Sequence, residues 1–348
     1  MLETLAEDIE VGFRAQTPLR DEIQAACRKH PELATFRDLG ESEEGRLIYG
    51  VELGRGPRTV SLIAGAHADE PVGPETLRTM ILQILRDPGR LDALFSRVRL
   101  VIIPHINPDG EARNRPWITR WPSLEAYLTE TVRERPGRDL EFGFPAMRPE
   151  NRVVASFLRS HAPFHLHMSL HGMGFAEGAM LLIERHWAFR TQALRDRFTR
   201  AVLAEGMGLH DHNRKGEKGF FAIEPGYTTT PEGAAMRHFF RAKDEPETAA
   251  LFHDSSMEFV RGLGGDPLCL VTEIPLFLVD PPAEPSQPGV PSAYLAFKAQ
   301  LPTFQQQALQ GRALTAARTA FGLQPVPLRS AMRLQLKAIE LGLEAVLD

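Results

Sequence analysis

His67 and Glu70 stand three residues apart in the segment HADEPVG, and His171 follows about a hundred residues later at the end of a separate apolar run. Two imidazoles and one carboxylate are a standard catalytic zinc set, with the fourth position left for water. Such a site also needs a carboxylate that is not a ligand, to act as base. Glu273, inside the apolar segment LCLVTEI, fits that need, because a charge in such a strand is costly unless it is used. Each residue has a plainer reading as well. Asp69 and Glu70 suit the N-terminal end of a helix dipole, His171 before Gly172 suits a strand cap, and Glu273 suits an edge strand. Their joint placement favours a site.

The surrounding pattern positions these groups at strand ends. Thr59 to Ala66 is a continuous apolar run of the kind found in strands buried on both faces, and a helix is expected from about Pro74 to Arg86. Leu100 to Ile106 reads as the next strand, closed by the turn Asn107-Pro108-Asp109-Gly110. Strand, helix, strand is the signature of a parallel sheet, and ligands bind at the C-terminal edge of such sheets. Further strands are expected at Ala34 to Leu39, Leu47 to Leu53, Phe164 to Leu170, Ala179 to Glu184 and Leu268 to Ile274, with His171 just past its strand. Residues 206–256 read as irregular, and a loop of that length in a compact domain is usually functional. The segment DPPAEPSQPGVPS reads as an extended connector. Helices are expected beyond it, one interrupted at Pro302 and another over Leu328 to Leu347. The division expected is a catalytic domain over 1–280, a connector over 281–292 and a helical extension over 293–348 that packs on the domain.

Composition limits the function classes. Of 348 residues, 43% are hydrophobic and 24% charged, with 28 Gly and 27 Pro, which excludes disorder, collagen and coiled coil. Forty Lys and Arg against 45 Asp and Glu give a net charge of −5, so there is no electrostatic footprint for nucleic acid. The two cysteines, Cys27 and Cys269, allow at most one bridge and point to a reducing compartment. The N-terminal stretch MLETLAEDIEVGF begins acidic, unlike a secretory signal, and no apolar run approaches the roughly 18 residues that span a bilayer. A cytoplasmic protein without a membrane partner is expected; oligomeric state has no signature.

Five motifs occur in order between about residues 20 and 280: ESEEGRLIYGVELG, AGAHADEPVG, HINPDG, SLHGMG and LCLVTEIP. In that order they resemble the entry hairpin, first zinc motif, N-P-D-G turn, third-ligand motif and catalytic-glutamate strand of the funnelin-type zinc carboxypeptidases. The resemblance implies an α/β fold, a three-layer αβα sandwich around a mixed, mostly parallel sheet of about eight strands. It implies one zinc ion held by His67, Glu70 and His171, with Glu273 as general base and acid while zinc-activated water attacks the scissile carbonyl of an amide. GRDLEFGFP resembles the family's G-V-D-L-N-R-N-F-P and matches Asp139 to the carboxylate that orients the first zinc histidine. In the family an arginine after the N-P-D-G turn stabilises the oxyanion. EARNRPWITR offers Arg113, Arg115 and Arg120 for it, and Arg115 matches by spacing, although each reads equally as a solvated charge.

Two positions depart from the pattern. Where the family grips the substrate's terminal carboxylate with Asn-Arg, this chain has Glu141 and Phe142, neither of which makes that bidentate contact. Either another cation (Arg148, Arg152, Arg237 or Arg241) captures the carboxylate, or the leaving group lacks one and Glu141 binds an amine, or the match is displaced by a few residues. HDSSMEFVRGLGG resembles the pocket-lining region, with Ala250 near the position of a mobile tyrosine and Met257 at the pocket floor. A one-residue shift puts Glu258 there instead, and a methionine such as Met257 is more often plain core. Asn107, Glu141, Phe142 and Met257 are thus the expected substrate-side residues.

The function expected is zinc-dependent hydrolysis of a peptide amide. The runner-up is an N-acyl amino-acid deacylase of the succinylglutamate desuccinylase and aspartoacylase kind, because HADEPVG also resembles that branch's H-G-N-E-P-x-G motif. A third reading is a non-catalytic binding protein on the same fold. His165 and His167 share a strand face with His171, suggesting a second metal or, more simply, core histidines bonded to neighbours; His210 and His212 fit a solvated loop.

Overall fold

The computed structural model describes residues 2–7, 11–210, 216–280 and 292–347. Among them, one sheet contains eleven strands. They are β1 Ala34–Glu41, β2 Leu47–Leu53, β3 Arg58–Ala64, β4 Val98–Ile103, β5 Leu166–Ala176, β6 Gly178–Ile183, β7 Gly208–Leu209, β8 Ala222–Glu224, β9 Tyr227–Thr229, β10 Leu268–Leu278 and β11 Gln324–Pro325. The main order is β1-β2-β4-β3-β5-β10-β6-β9-β8, with β11 beside β10 and β7 beside β6.

Parallel pairing runs through the centre, β4-β3-β5-β10, while β1–β2, β2–β4, β10–β6, β10–β11 and β8–β9 are antiparallel. The sheet is therefore more evenly mixed than expected, and larger than eight strands. The strands that the sequence did not locate are β7, β8, β9 and β11, each two or three residues long and too short to carry a period-two pattern. They also show that 206–256 is not simply irregular: besides β7, β8 and β9, it holds the helices Gly233–Ala242 and Pro246–Ala250.

Alternation along the strands divides the core. Val60, Leu62, Leu100, Ile102, Leu166 and Leu170 face one layer. That layer is covered by the helices Gln16–Lys29, Val72–Arg86 and Leu328–Leu347. Ile63, Val101 and Ile103 face the other, covered by the helices Pro149–Arg159 and Ser256–Gly262. Both faces are thus dry at β3 and β4, which is why those strands read as unbroken apolar runs. In β5 the same alternation puts His167, Ser169 and His171 on the second face.

His171 lies inside β5, not past its end, because parallel pairing with β10 continues to Ala176↔Leu278. Pro302 lies inside the helix Ser292–Leu309 without ending it. Residues 281–291 of the connector expected over 281–292, and His212, lie outside the described residues. Cys27 and Cys269 are both buried and free, so the one bridge the sequence allows does not form. Among the described residues no helix is long and apolar enough to cross a membrane.

The helix Leu328–Leu347 contributes Leu334, Leu336, Ile339, Leu341 and Leu343 to the larger core. Its one fully buried amide, Gln335, donates from Nε2 to the main-chain carbonyl of His171 at 3.1 Å. The Gln335 Oε1 accepts from Thr76 Oγ1 at 2.7 Å, tying the helix Val72–Arg86 to the same point.

Candidate metal centre

The chain leaves β3 through Gly65, whose φ of +72° favours glycine; a Cβ there would lie 2.6 Å from His105 Nδ1. Burial drives the His105 pKa down to about 4, so the ring is neutral and its Nδ1 accepts from the Asn107 amide at 3.0 Å. Asn107 in turn caps the helix Pro108–Ile118 by accepting from the Gly110 amide at 3.0 Å. Its Nδ2 donates to Glu134 Oε1 at 2.6 Å, and Glu134 Oε2 accepts from the Ala68 amide at 3.1 Å. Glu134 therefore joins the two strand-end loops, and Asn107 is consumed by that joint instead of facing a substrate.

His67, Glu70 and His171 converge, with one ligand atom from each within 4.8 Å of the others. His67 Nδ1 lies 2.9 Å from Glu70 Oε1, and His171 Nδ1 lies 3.0 Å from Glu70 Oε2. The two Nδ1 atoms are 3.1 Å apart. Two imidazole nitrogens and a carboxylate directed at one point are a donor set that fits zinc. Each outer nitrogen meets a carboxylate: His67 Nε2 lies 3.2 Å from Asp139 Oδ1, and His171 Nε2 lies 3.1 Å from Glu141 Oε2.

The electrostatics follow from that packing. Burial works to lower His171, but Glu70 and Glu141 outweigh it and hold the imidazole up at about 10. Burial alone would raise Glu70, yet His67, Arg133 and His171 hold it well below the ordinary carboxylate range. Glu273 stands in register with His171 across the β5–β10 pairing, and both side chains share one face. Burial, followed by the nearby Glu70 charge, pushes its carboxyl up to about 7, a value suited to proton transfer near neutrality.

Arg133, in the irregular stretch 131–135, donates from Nη1 to Glu70 Oε1 at 2.7 Å and to Asp69 Oδ1 at 2.9 Å. No periodicity or motif in its own segment marks it. Arg115 is not brought to the cluster: it projects from the helix Pro108–Ile118 into a separate cleft with Arg20, Arg46 and Glu111.

The remaining expected substrate-side residues are also placed elsewhere. Glu141 is buried beneath the metal histidines, accepting from the Ser256 amide at 2.9 Å and its Oγ at 2.6 Å. Phe142 is buried edge-on against Phe252, with ring centroids 5.6 Å apart. Met257 is buried in a small apolar cluster with Met180, Leu182, Cys269 and Val271. None of Asn107, Glu141, Phe142 and Met257 lines the cavity at the site.

That cavity, about 400 Å³, brings Glu70, Glu273 and Arg133 together with Met173 and Phe220. Its far wall is the helix Ser292–Leu309, which presents Tyr294, Lys298, Leu301 and Gln305. His167 is a core histidine bonded to Ser61 Oγ at 2.7 Å and Ser256 Oγ at 3.2 Å, not a second ligand set. His165 is exposed, and His210 is buried against Glu177 at 2.8 Å.

An α/β sheet with a His-Glu-His cluster at its edge defines a class of metal-binding protein, and comparison with known proteins narrows it. Residues 19–177 match the family described as zinc carboxypeptidase. The matched segment includes His67, Glu70, Asp139 and His171 and stops short of Glu273. Human carboxypeptidase D is 25% identical over 181 residues, covering 49% of this chain and 12% of that protein. Carboxypeptidase B of Astacus astacus is 34% identical over 99 residues, covering 26% of this chain and 33% of that protein. The chain thus spans a third or less of the length of these two relatives. Among solved structures, carboxypeptidase A from Helicoverpa armigera superposes with a TM-score of 0.53 at 14% identity, covering 99% of this chain and 78% of that one. The shared feature there is the fold.

Proposed function

We propose that the protein is a zinc-dependent hydrolase of amide bonds, metallocarboxypeptidase-like. The observation that carries this reading is the convergence of His67 Nδ1, Glu70 and His171 Nδ1 beside Glu273, at a cavity of about 400 Å³. A zinc ion bound there supplies a Lewis acid and a water of lowered pKa. Glu273, with its carboxyl at about 7, takes a proton from the attacking water and returns it to the leaving nitrogen. Arg133 is about half exposed and lines the cavity, so it stabilises charge on the scissile carbonyl oxygen.

The substrate in this reading carries an anionic group. Lys298 lines the cavity and makes no ion pair with a described residue. The cations suggested by sequence do not reach this cavity: Arg148 is buried on Glu150 at 2.6 Å, and Arg237 donates to the Phe252 carbonyl at 2.9 Å. Two unpaired, buried cysteines suit a reducing compartment, so the cytoplasm is the proposed location.

Metal analysis with a matched substrate panel tests the reading: peptides with free and amidated C-termini, and N-acyl amino acids. Failure to bind one zinc per chain would sink it. Turnover of N-acyl amino acids alone would favour the deacylase instead, and zinc binding without any turnover would favour a binding protein.

A further inference from the structure

Glu141 is a buried carboxylate whose only ion-pair partner among the described residues is His171. A charge in that position is costly unless a positive group meets it. Among the described residues no lysine or arginine does so. With His171 Nδ1 turned toward Glu70, its Nε2 must carry the proton, and the carboxylate within hydrogen-bond reach of it is Glu141 Oε2 at 3.1 Å. Ser169 Oγ, 2.8 Å from the same nitrogen, donates its own proton to Glu141 Oε2 at 3.2 Å. The carboxylate is itself fixed from behind by the Ser256 amide and hydroxyl on Oε1. Ser256 then contacts His167, which contacts Ser61 on β3. A continuous buried chain thus runs from one central strand to the second ring of the metal centre.

We infer that Glu141 is a positioning residue for the metal centre, fixing the ring and tautomer of His171 as Asp139 does for His67, so that both histidine ligands are backed by carboxylates. The inference rests on reading His67, Glu70 and His171 as a zinc site and is independent of which bond is cleaved. An anionic acceptor on the outer nitrogen makes an imidazole a stronger ligand, and removing such a partner typically costs about 10- to 100-fold in metal affinity or activity.

The test is the zinc dissociation constant, measured by chelator competition on the full chain, with the thermal midpoint of the metal-free protein measured beside it. Glu141→Gln keeps the shape and removes the charge. It is expected to weaken zinc about 10- to 100-fold, comparably to Asp139→Asn, beyond whatever fall the metal-free midpoint shows from the lost buried pair. Glu141→Asp is expected to recover part of the affinity. Wild-type affinity in Glu141→Gln, or a fall in the midpoint with unchanged affinity, would overturn the inference. If Glu141→Gln does not fold, Ser256→Ala carries the test, since it loosens Glu141 without touching a ligand. A several-fold weaker zinc complex supports the inference and an unchanged one overturns it. Failure of the wild-type chain to bind zinc would instead remove the underlying reading of the site.

Discussion

His171 and Glu273 are register partners on the parallel strands β5 and β10, so two positions 102 residues apart in the chain leave the sheet side by side on one face. The pairing holds the proposed base beside the metal-binding histidine by main-chain hydrogen bonds, which are stiffer than any loop.

Glu273→Gln is expected to lower kcat by about 10²- to 10⁴-fold while zinc remains bound, as read by steady-state kinetics and metal analysis. Stability of the metal-free protein gives a second readout. A carboxyl raised from 4.5 to about 7 leaves stability fully present below pH 4.5 and erodes it as pH rises through 7. Chemical denaturation across that window should show the erosion in the wild type and less of it in Glu273→Gln.

Arg133→Met is expected to reduce kcat/KM by about 10²-fold, the scale of one lost oxyanion donor, while Arg115→Met stays close to wild type. Equal losses in both variants would return Arg115 to the reaction.

Zinc binding at pH 7 should release protons. His171 in the metal-free protein is held up at about 10 and must give up its proton to offer Nδ1. Calorimetric titration in buffers of different ionisation enthalpy reads the number released, and zinc affinity should climb as pH rises toward 10. Without metal the sign for stability follows from the same shift: this group's contribution is full below pH 6.5 and lost as pH passes about 10.

Lys298→Gln should raise KM about 10-fold for substrates with a free carboxylate, the loss of one charge-assisted contact, and leave amidated analogues unchanged. An equal effect on both substrates would remove the anionic group from the specificity.

Gln335→Leu removes the bond to the His171 carbonyl and one partner of Thr76, both buried. A cost of about 1 to 3 kcal/mol is expected in denaturant unfolding.

Much of this centre was legible because its parts sit next to local signals. His67 and Glu70 share one loop, and His171 and Glu273 stand in apolar runs that only strands explain. The central strands were legible for the same reason, being dry on both faces. Arg133 was missed because its partners, Asp69 and Glu70, lie more than sixty residues upstream and its own segment has no periodicity. Glu141 was read toward the substrate because its meaning depends on Ser256, 115 positions away, and on a strand alternation visible only once β5 is in the sheet. Met257 and Phe142 are apolar residues that a pocket and a core use equally, so pattern alone did not separate them.

The bond from Gln335 to the His171 carbonyl has a temporal side. His67, Glu70, Arg133, His171 and Glu273 all leave the ribosome before Gln335, and the helix that covers their sheet follows them. A nascent or truncated chain ending before Leu328 contains every residue of the proposed reaction while its central strands still lack this helix's share of the cover on one face.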